Sequence, residues 1–149
     1  LNRAAASVML SQNVKAATDV TGFGLLGHLG NMLKASSIAA QTALGANLSY
    51  AKIPIFEGVE ALLEQGLCPA GTRRNLETAA PLTEFSASIS STHQLLLADA
   101  QTSGGLLMAV PEANLEALMT ELKENMVANC AVVGQVVRAL QPAAIQVGY

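Results

Sequence analysis

The sequence predicts a single α+β domain with a mixed β-sheet. Helical and strand-like segments interleave along the 149 residues, and the last two strand-like segments are close enough in sequence to form a hairpin. A hairpin is antiparallel, so it does not fit a doubly wound, purely parallel sheet. Hydrophobic residues make up 51% of the chain and charged residues 13%, which is typical of a domain that buries an apolar core. Because aromatic residues make up only 3%, we expect a mainly aliphatic core.

Helices are predicted where apolar residues recur with a period of about 3.6 residues. The longest such pattern in the second half of the chain starts at Pro111, a residue that suits the first turn of a helix. Gly66 is expected to end an earlier helix. The predicted helical segments are 1–11, 22–35, 56–65, 93–98 (one turn) and 111–125.

Strands are predicted from short runs of apolar and β-branched residues. The strongest candidate is 105–110, which follows a glycine and precedes Pro111. The other predicted strands are 14–20 (weak, because it contains Lys15 and Asp19), 38–50 (one or two strands), 131–139 and 144–149. Residues 68–92 are rich in Pro, Gly, Thr and Ser and are predicted to be mostly loop with short helical pieces. A segment of that length without obvious structure is often functional.

Charge, apolar runs and cysteine usage predict which partners and which compartment the protein has. The net charge is −3 and the only basic doublet is Arg73-Arg74, so no nucleic-acid partner is expected. No apolar run reaches the ~20 residues that a membrane span needs, so no membrane partner is expected either. Cys68 and Cys130 lack metal-type spacing and are expected to be buried free thiols in a reducing, cytoplasmic compartment. The chain opens on Leu1 inside a predicted helix, so we expect it to be a piece of a longer protein.

The stretch TDVTGFGLLGH, residues 18–28, contains the letters G-x-G-x-x-G of a dinucleotide-binding loop. Its context does not fit that function. A dinucleotide site requires a buried strand before the first glycine and an acidic residue about 20 positions beyond it. The preceding strand is weak, and no acidic residue lies between Asp19 and Glu57. The pattern is therefore not interpreted as a dinucleotide site.

The three glycines of this stretch, Gly22, Gly24 and Gly27, fall in the first two turns of the predicted helix. A glycine inside a helix costs up to about 1 kcal/mol relative to alanine, so these positions require a reason. One explanation is close packing of the helix where no side chain fits. The other is a bare helix start that a second backbone or a phosphate group approaches closely. The pattern alone leaves both open.

Asp19 lies immediately before that helix and allows two interpretations. It is either a turn or capping residue, a role for which Thr21 competes, or an oxygen ligand for Mg²⁺. As a metal ligand it would need other carboxylates, because a single one cannot bind the ion tightly.

For three further features, a structural explanation is preferred to a functional one. Residues 99–105 read as a tight turn, and 71–75 read as a solvated loop whose arginines alternatively contact phosphate. His28 has no partner spacing typical of catalysis, so a structural or surface role is expected. No nucleophile–base motif is found.

Three stretches together resemble one family: ATDVTGFGLLGHL at 17–29, PAGTRRN at 69–75 and LLLADAQTSGGLLMAV at 95–110. In the same order and with compatible spacing, they are similar to the C-terminal domain of selenophosphate synthetase (selenide, water dikinase), in the aminoimidazole ribonucleotide synthetase superfamily. The resemblance covers nearly the whole chain. It implies that residues 1–149 are one domain of a two-domain enzyme, with a mixed β-sheet flanked by α-helices. The N-terminal ATP-binding domain would then be absent from this chain.

The resemblance also implies an activity and a site. The enzymes of this family convert selenide, ATP and water to selenophosphate, AMP and phosphate, for selenocysteine and selenouridine synthesis. Asp19 is implied as a Mg²⁺ ligand near the ATP phosphates, with Thr18, Thr21 and Gly22 shaping the same vicinity. Their catalytic Cys or selenocysteine and Lys lie in the N-terminal domain, so no catalytic residue is expected here.

The same resemblance sets the expected partners. The full-length protein is expected to be a cytoplasmic homodimer that uses Mg²⁺, ATP and selenide, whereas this chain alone is expected to be inactive and to bind neither Mg²⁺ nor ATP tightly. Two alternatives remain open. One is the C-terminal domain of another ATP-using member of the superfamily, and the other is a non-catalytic interaction module.

Overall fold

Helices and strands are interspersed along residues 2–149, the part of the chain that the computed structural model describes. The helices are α1 (Arg3–Ser11), α2 (Gly24–Ala40), α3 (Val59–Glu64), α4 (Ala70–Ala79), α5 (Ser91–Leu97) and α6 (Glu112–Glu124). The strands are β1 (Ala16–Asp19), β2 (Leu44–Ser49), β3 (Thr83–Phe85), β4 (Leu106–Ala109), β5 (Gly134–Arg138) and β6 (Ile145–Gly148). Short 3₁₀ turns follow β2 at Tyr50–Lys52 and α4 at Ala80–Leu82.

The strands form a four-stranded mixed sheet and a separate two-stranded ribbon. The order in the sheet is β3-β6-β2-β5, with β2 antiparallel to β5 and parallel to β6, and β3 parallel to β6. In the ribbon, β1 and β4 are antiparallel. The predicted α+β class with a mixed sheet is therefore confirmed.

The predicted hairpin of the last two strands is wrong, because β2 lies between β5 and β6. The short connection between them passes around the start of β2 instead. There, the backbone amides of Ala139 and Ala143 donate hydrogen bonds to the carbonyl oxygens of Ala43 and Leu44. Gly45 permits this passage, since a Cβ at that position would lie 2.4 Å from the carbonyl oxygen of Ala144. Sequence distance alone does not reveal an inserted third strand.

The main core lies between α2 and the four-stranded sheet, and it is mostly aliphatic, as predicted. Its buried members are Leu26, Leu29, Leu33, Ala46, Leu48, Tyr50, Leu63, Ile89, Leu96, Leu97, Ala143, Ile145 and Val147. A second, smaller core between α1 and α6 contains Ala5, Val8, Leu118 and Leu122. Residues of the β1–β4 ribbon, Leu106 and Met108 among them, pack against this second core. One face of the ribbon therefore packs against α1 and α6.

Two predicted segments differ from the structure. Helix α2 starts at Gly24 and runs to Ala40, so the strand expected within 38–50 is limited to β2. The residue after the helix is its C-cap, Gln41, whose backbone is left-handed with φ 50°. The segment 68–92, expected to be mostly loop, contains α4 and β3. Helix α4 is longer than the short helical pieces predicted there. Its one fully buried residue is the polar Thr72, and only Leu76 and Ala79 add apolar contacts with the core, which is too few to mark a helix of this length in the sequence.

The remaining predicted elements agree with the structure within a few residues. The first helix is confirmed over α1, and Leu1, where the predicted helix began, lies outside the described residues. Gly66 follows α3 with φ 78°, as expected of a helix-terminating glycine. Cys68 and Cys130 are free, and each is half-buried rather than buried. Among residues 2–149, none of the helices has both the length and the apolar character needed to cross a membrane.

Candidate functional site

Asp19 is the last residue of β1 and pairs with Leu106 of β4. The ladder continues for one more residue, because the backbone amide of Val20 donates a 2.9 Å hydrogen bond to the carbonyl oxygen of Gly105. The side chain of Asp19 is exposed, whereas Val20 is buried. The ribbon therefore fixes the backbone on both sides of an acidic side chain that is open to solvent.

A tight turn, 20–23, connects this carboxylate to helix α2. The carbonyl oxygen of Thr21 accepts hydrogen bonds from the backbone amides of Gly24, at 3.0 Å, and Gln101, at 3.2 Å. The N-cap residue of α2 is Phe23, and it makes no side-chain cap hydrogen bond. The capping role considered for Asp19 and Thr21 is therefore wrong for this helix, since neither occupies its N-cap. The side chain of the N-cap residue therefore leaves the first-turn amides of α2 uncapped.

The glycines of this region have different reasons to be glycine. Gly24 has φ +68°, and a Cβ there would lie 2.5 Å from the carbonyl carbon of Ala98. This is the close approach of a second backbone that the pattern left open. A Cβ on Gly27 would instead meet the side chain of Phe23 at 2.8 Å. Gly22 precedes the helix rather than belonging to it, and no atom lies within 4 Å of a Cβ built there.

The ring of His28 contacts residues before the turn and within it. Its Nε2 lies 3.1 Å from the hydroxyl of Thr21 and accepts a 3.4 Å hydrogen bond from the backbone amide of Phe23. Its Nδ1 lies 3.4 Å from the hydroxyl of Thr18. Because a backbone amide can only donate, Nε2 is assigned as the acceptor and Nδ1 carries the proton. His28 therefore has a structural role, one of the two expected from the sequence.

Helix α4 fastens the turn to the end of α5. The side-chain amide of Asn75 donates hydrogen bonds to the carbonyl oxygens of Gly22, at 2.8 Å, and Ala98, at 3.1 Å. One turn earlier on the same helix, the fully buried hydroxyl of Thr72 donates to the carboxylate of Asp99 at 3.2 Å and accepts from the amide of Ala100 at 3.1 Å. Asn75, Thr72 and Asp99 lie in two of the stretches noted in the sequence, but no pattern there predicts these hydrogen bonds.

The segment 99–105 closes the other side of the turn. A Cβ on Gly104 would lie 2.1 Å from the carbonyl oxygen of Val20, so only glycine fits at this crossing. Burial raises the pKa of the Asp99 carboxyl, and the hydrogen bond from Thr72 opposes part of that shift. Arg73 and Arg74, considered as phosphate contacts, are exposed on α4.

The three stretches noted in the sequence therefore meet at one place. Residues 18–24, 72–75 and 98–105 are joined by side-chain hydrogen bonds, backbone hydrogen bonds and two contacts that require glycine. Within residues 2–149 no group of three or more His, Cys, Asp and Glu side chains could hold a metal ion. A metal ion at Asp19 would thus need ligands from outside the described residues.

Comparison with known proteins assigns the chain to a family. The family described as "AIR synthase related protein, C-terminal domain" matches residues 1–144. The chain belongs to this family. The membership predicted from the three stretches is confirmed.

Within this family, the chain is similar to several proteins that share one name. The chain is 43% identical over 124 residues to a protein of Carboxydothermus hydrogenoformans named "Selenide, water dikinase", covering 83% of this chain and 34% of that protein. Proteins with the same name from Pseudomonas aeruginosa and Pelobacter propionicus are 46% and 39% identical, over 79% and 92% of this chain and 32% and 38% of their own lengths. The AIR synthase related chain thus spans about a third of the curated relatives it matches.

Proposed function

We propose that the chain is the C-terminal domain of a selenide, water dikinase and contributes one metal-binding carboxylate, Asp19, to an active site completed by the rest of the full-length protein. The observation that carries the proposal is the position of Asp19. It is exposed at the end of a ribbon, next to a helix start without a side-chain cap, in a chain whose relatives are named for this activity. The proposed reaction converts selenide, ATP and water to selenophosphate, AMP and phosphate.

The chemistry of the residues at the turn fits Mg²⁺. This ion prefers carboxylate and other oxygen ligands and retains phosphate oxygens in its shell. Asp19 would hold it, and the bound ion would neutralise charge on the ATP phosphates, which phosphoryl transfer requires more than covalent chemistry. The hydroxyls of Thr18 and Thr21 are held by His28, at 3.4 Å and 3.1 Å. They keep the turn in one conformation beside the carboxylate.

The backbone at Gly22, close to Asp19, is open to solvent. Gly22 is exposed, and no atom beyond its chain neighbours lies within 4 Å of a Cβ built there. The backbone amides at the start of α2 add a partial positive charge at this end of the helix. These features support a phosphate-bearing substrate at Thr18, Thr21 and Gly22, with most ATP contacts and the catalytic nucleophile supplied by the N-terminal domain.

The partners and compartment follow from the same proposal. We expect the full-length protein to use ATP and selenide, to form a homodimer and to be cytoplasmic, and the two free thiols support the last of these expectations. The isolated chain is expected to bind neither Mg²⁺ nor ATP tightly, because one carboxylate is too few for this ion.

Assay of the full-length protein tests the proposal. With ATP, Mg²⁺ and selenide we expect AMP and selenophosphate, detected by chromatography and phosphorus NMR, and no AMP from the 149-residue chain alone. Selenide-dependent AMP formation by the isolated chain would contradict the division of the site between two domains. Formation of aminoimidazole ribonucleotide by the full-length protein would instead assign it to that branch of the superfamily. Absence of any nucleotide turnover would support the interaction module.

A further inference from the structure

The hydrogen bonds of Asn75 identify the type of group that its position requires. Both of its partners, the backbone oxygens of Gly22 and Ala98, can only accept hydrogen bonds. The amide nitrogen, with two hydrogens, therefore faces both of them. A carboxylate at this position would be repelled by the two carbonyl oxygens, and a hydroxyl has one hydrogen where two are needed.

The place of Asn75 in the chain shows what these bonds connect. Gly22 is three residues after Asp19, in the turn that carries the carboxylate into α2. Ala98 is fully buried at the end of α5, where its backbone already contacts Gly24. A single side chain thus ties the exposed turn to a buried part of the core.

A second pair of bonds fixes the helix that bears Asn75. Thr72 lies three positions earlier, on the same face of α4, and is 0% exposed. Its hydroxyl bridges the carboxylate of Asp99 and the amide of Ala100. Helix α4 is therefore anchored to the residues next to Ala98, and Asn75 cannot move relative to them without breaking these bonds.

From this geometry we infer that Asn75 is a positioning residue that holds the Asp19 turn in its metal-binding conformation. The inference rests on the proposed function, since it assigns Asn75 to the site of Asp19. Without Asn75 the turn would keep its ladder to β4, the bonds from Gly24 and Gln101 to Thr21, and the contacts made by His28. It would lose its anchor at Gly22. Ordering of the turn would then have to accompany binding of the ion, which weakens binding without removing any ligand.

The test uses the full-length protein and four variants. Asn75→Leu is close to Asn in shape but has no donor, and Asn75→Ala removes the donor without adding a branched side chain. Glu77→Ala is the matched control, because Glu77 is exposed on the same helix. Asp19→Asn tests the proposed function separately. The readouts are the Mg²⁺ concentration for half-maximal AMP formation and hydrogen–deuterium exchange of the amides in 19–24 and in β2, the latter measured without Mg²⁺ or ATP.

The expected result is specific to the turn. Loss of two hydrogen bonds should raise the half-maximal Mg²⁺ concentration about tenfold in both Asn75 variants, with the maximal rate at saturating Mg²⁺ changed about twofold or less. Exchange should accelerate in 19–24 and stay unchanged in β2. The Glu77→Ala variant should match the parent protein in every readout.

Two results would overturn the inference alone. One is unchanged exchange at 19–24 in both Asn75 variants, which would show that Asn75 does not hold the turn. The other is faster exchange with an unchanged Mg²⁺ requirement, which would reduce Asn75 to a structural residue. Normal turnover of Asp19→Asn would overturn the proposed function together with the inference, and it is distinguishable because it appears in a different variant.

Discussion

A Cβ built on Gly24 would lie 2.5 Å from the carbonyl carbon of Ala98. The first residue of α2 therefore rests directly against the backbone at the end of α5, and its φ of +68° adds a second reason for glycine. Close packing between two chain segments therefore explains why Gly24, the second glycine of G-x-G-x-x-G, is a glycine. It also places the turn that carries Asp19 at a fixed distance from the segment 98–105.

Substitution of Gly24 is predicted to destabilise the domain strongly. Gly24→Ala combines a left-handed backbone with a clash against the main chain of Ala98, so we expect a loss of about 3 kcal/mol or more in the free energy of unfolding. Urea unfolding of the 149-residue chain measures this loss.

The matched control is Gly30→Ala, in the interior of the same helix. No atom lies within 4 Å of a Cβ built at Gly30. Replacing an unhindered helical glycine by alanine should stabilise the protein by about 0.5–1 kcal/mol. Equal effects of the two substitutions would show that the contact between Gly24 and Ala98 is not a constraint.

His28 is predicted to stabilise the turn rather than to take part in the chemistry. Removing its ring in His28→Ala takes one hydrogen-bond partner from the amide of Phe23 and from the hydroxyls of Thr18 and Thr21, which should cost about 1 kcal/mol. Urea unfolding of the chain measures the effect, and Asn31→Ala, at an exposed position of α2, is the control. A His28→Ala variant as stable as the Asn31→Ala variant would contradict the assigned hydrogen bonds.

Tyr50 is predicted to make stability depend on alkaline pH. Its hydroxyl is buried and donates to Glu60, and its ring stacks on His93 at 4.1 Å between centroids. Burial and the neighbouring Glu60 both raise the pKa of the Tyr50 hydroxyl above its ordinary value. A raised pKa in the folded state means that this stabilisation is complete below pH ~10 and is lost as the pH rises further, because the unfolded chain ionises first.

Tyr50→Phe provides the comparison. At pH 7 it should be less stable than the parent chain by about 1 kcal/mol, since one hydrogen bond is lost. Above pH ~10 the difference between the two should shrink, because only the parent chain ionises at residue 50. Denaturation in urea at a series of pH values measures both curves, and parallel curves up to pH ~11.5 would contradict a buried, neutral Tyr50.

The amphipathic elements of the fold could be predicted from the sequence because one residue pattern decides them. Helix α6 and strand β4 lie inside their predicted segments, 111–125 and 105–110, where apolar spacing and Pro111 mark the boundary. The bounds of helix α4 could not be found in this way, because its fully buried residue, Thr72, is polar and Leu76 is its only large apolar residue. The insertion of β2 between β5 and β6 is a tertiary event that local patterns do not encode.

The candidate site was only partly accessible to the same reasoning. The three glycines stand out because each is costly inside a helix, whereas the metal role predicted for Asp19 depends on the family resemblance. The partner of the turn does not stand out, since Asn75 is 53 positions from Gly22 and nothing in the sequence of α4 points to that contact. Its only signal was that both residues lie in stretches shared with the same family. The assigned tautomer of His28 likewise follows only from the folded turn.

Turnover of Asp19→Asn in the full-length protein tests most directly the proposal that Asp19 binds the metal ion. This variant keeps the shape of the side chain but loses its charge, and Glu124→Gln at an exposed end of α6 is the control. At saturating Mg²⁺ we predict that selenide-dependent AMP formation falls by about 100-fold or more in Asp19→Asn, with an unchanged unfolding curve and a normal rate in the control. A rate within about threefold of the parent enzyme, less than 1 kcal/mol of transition-state stabilisation, would contradict the claim.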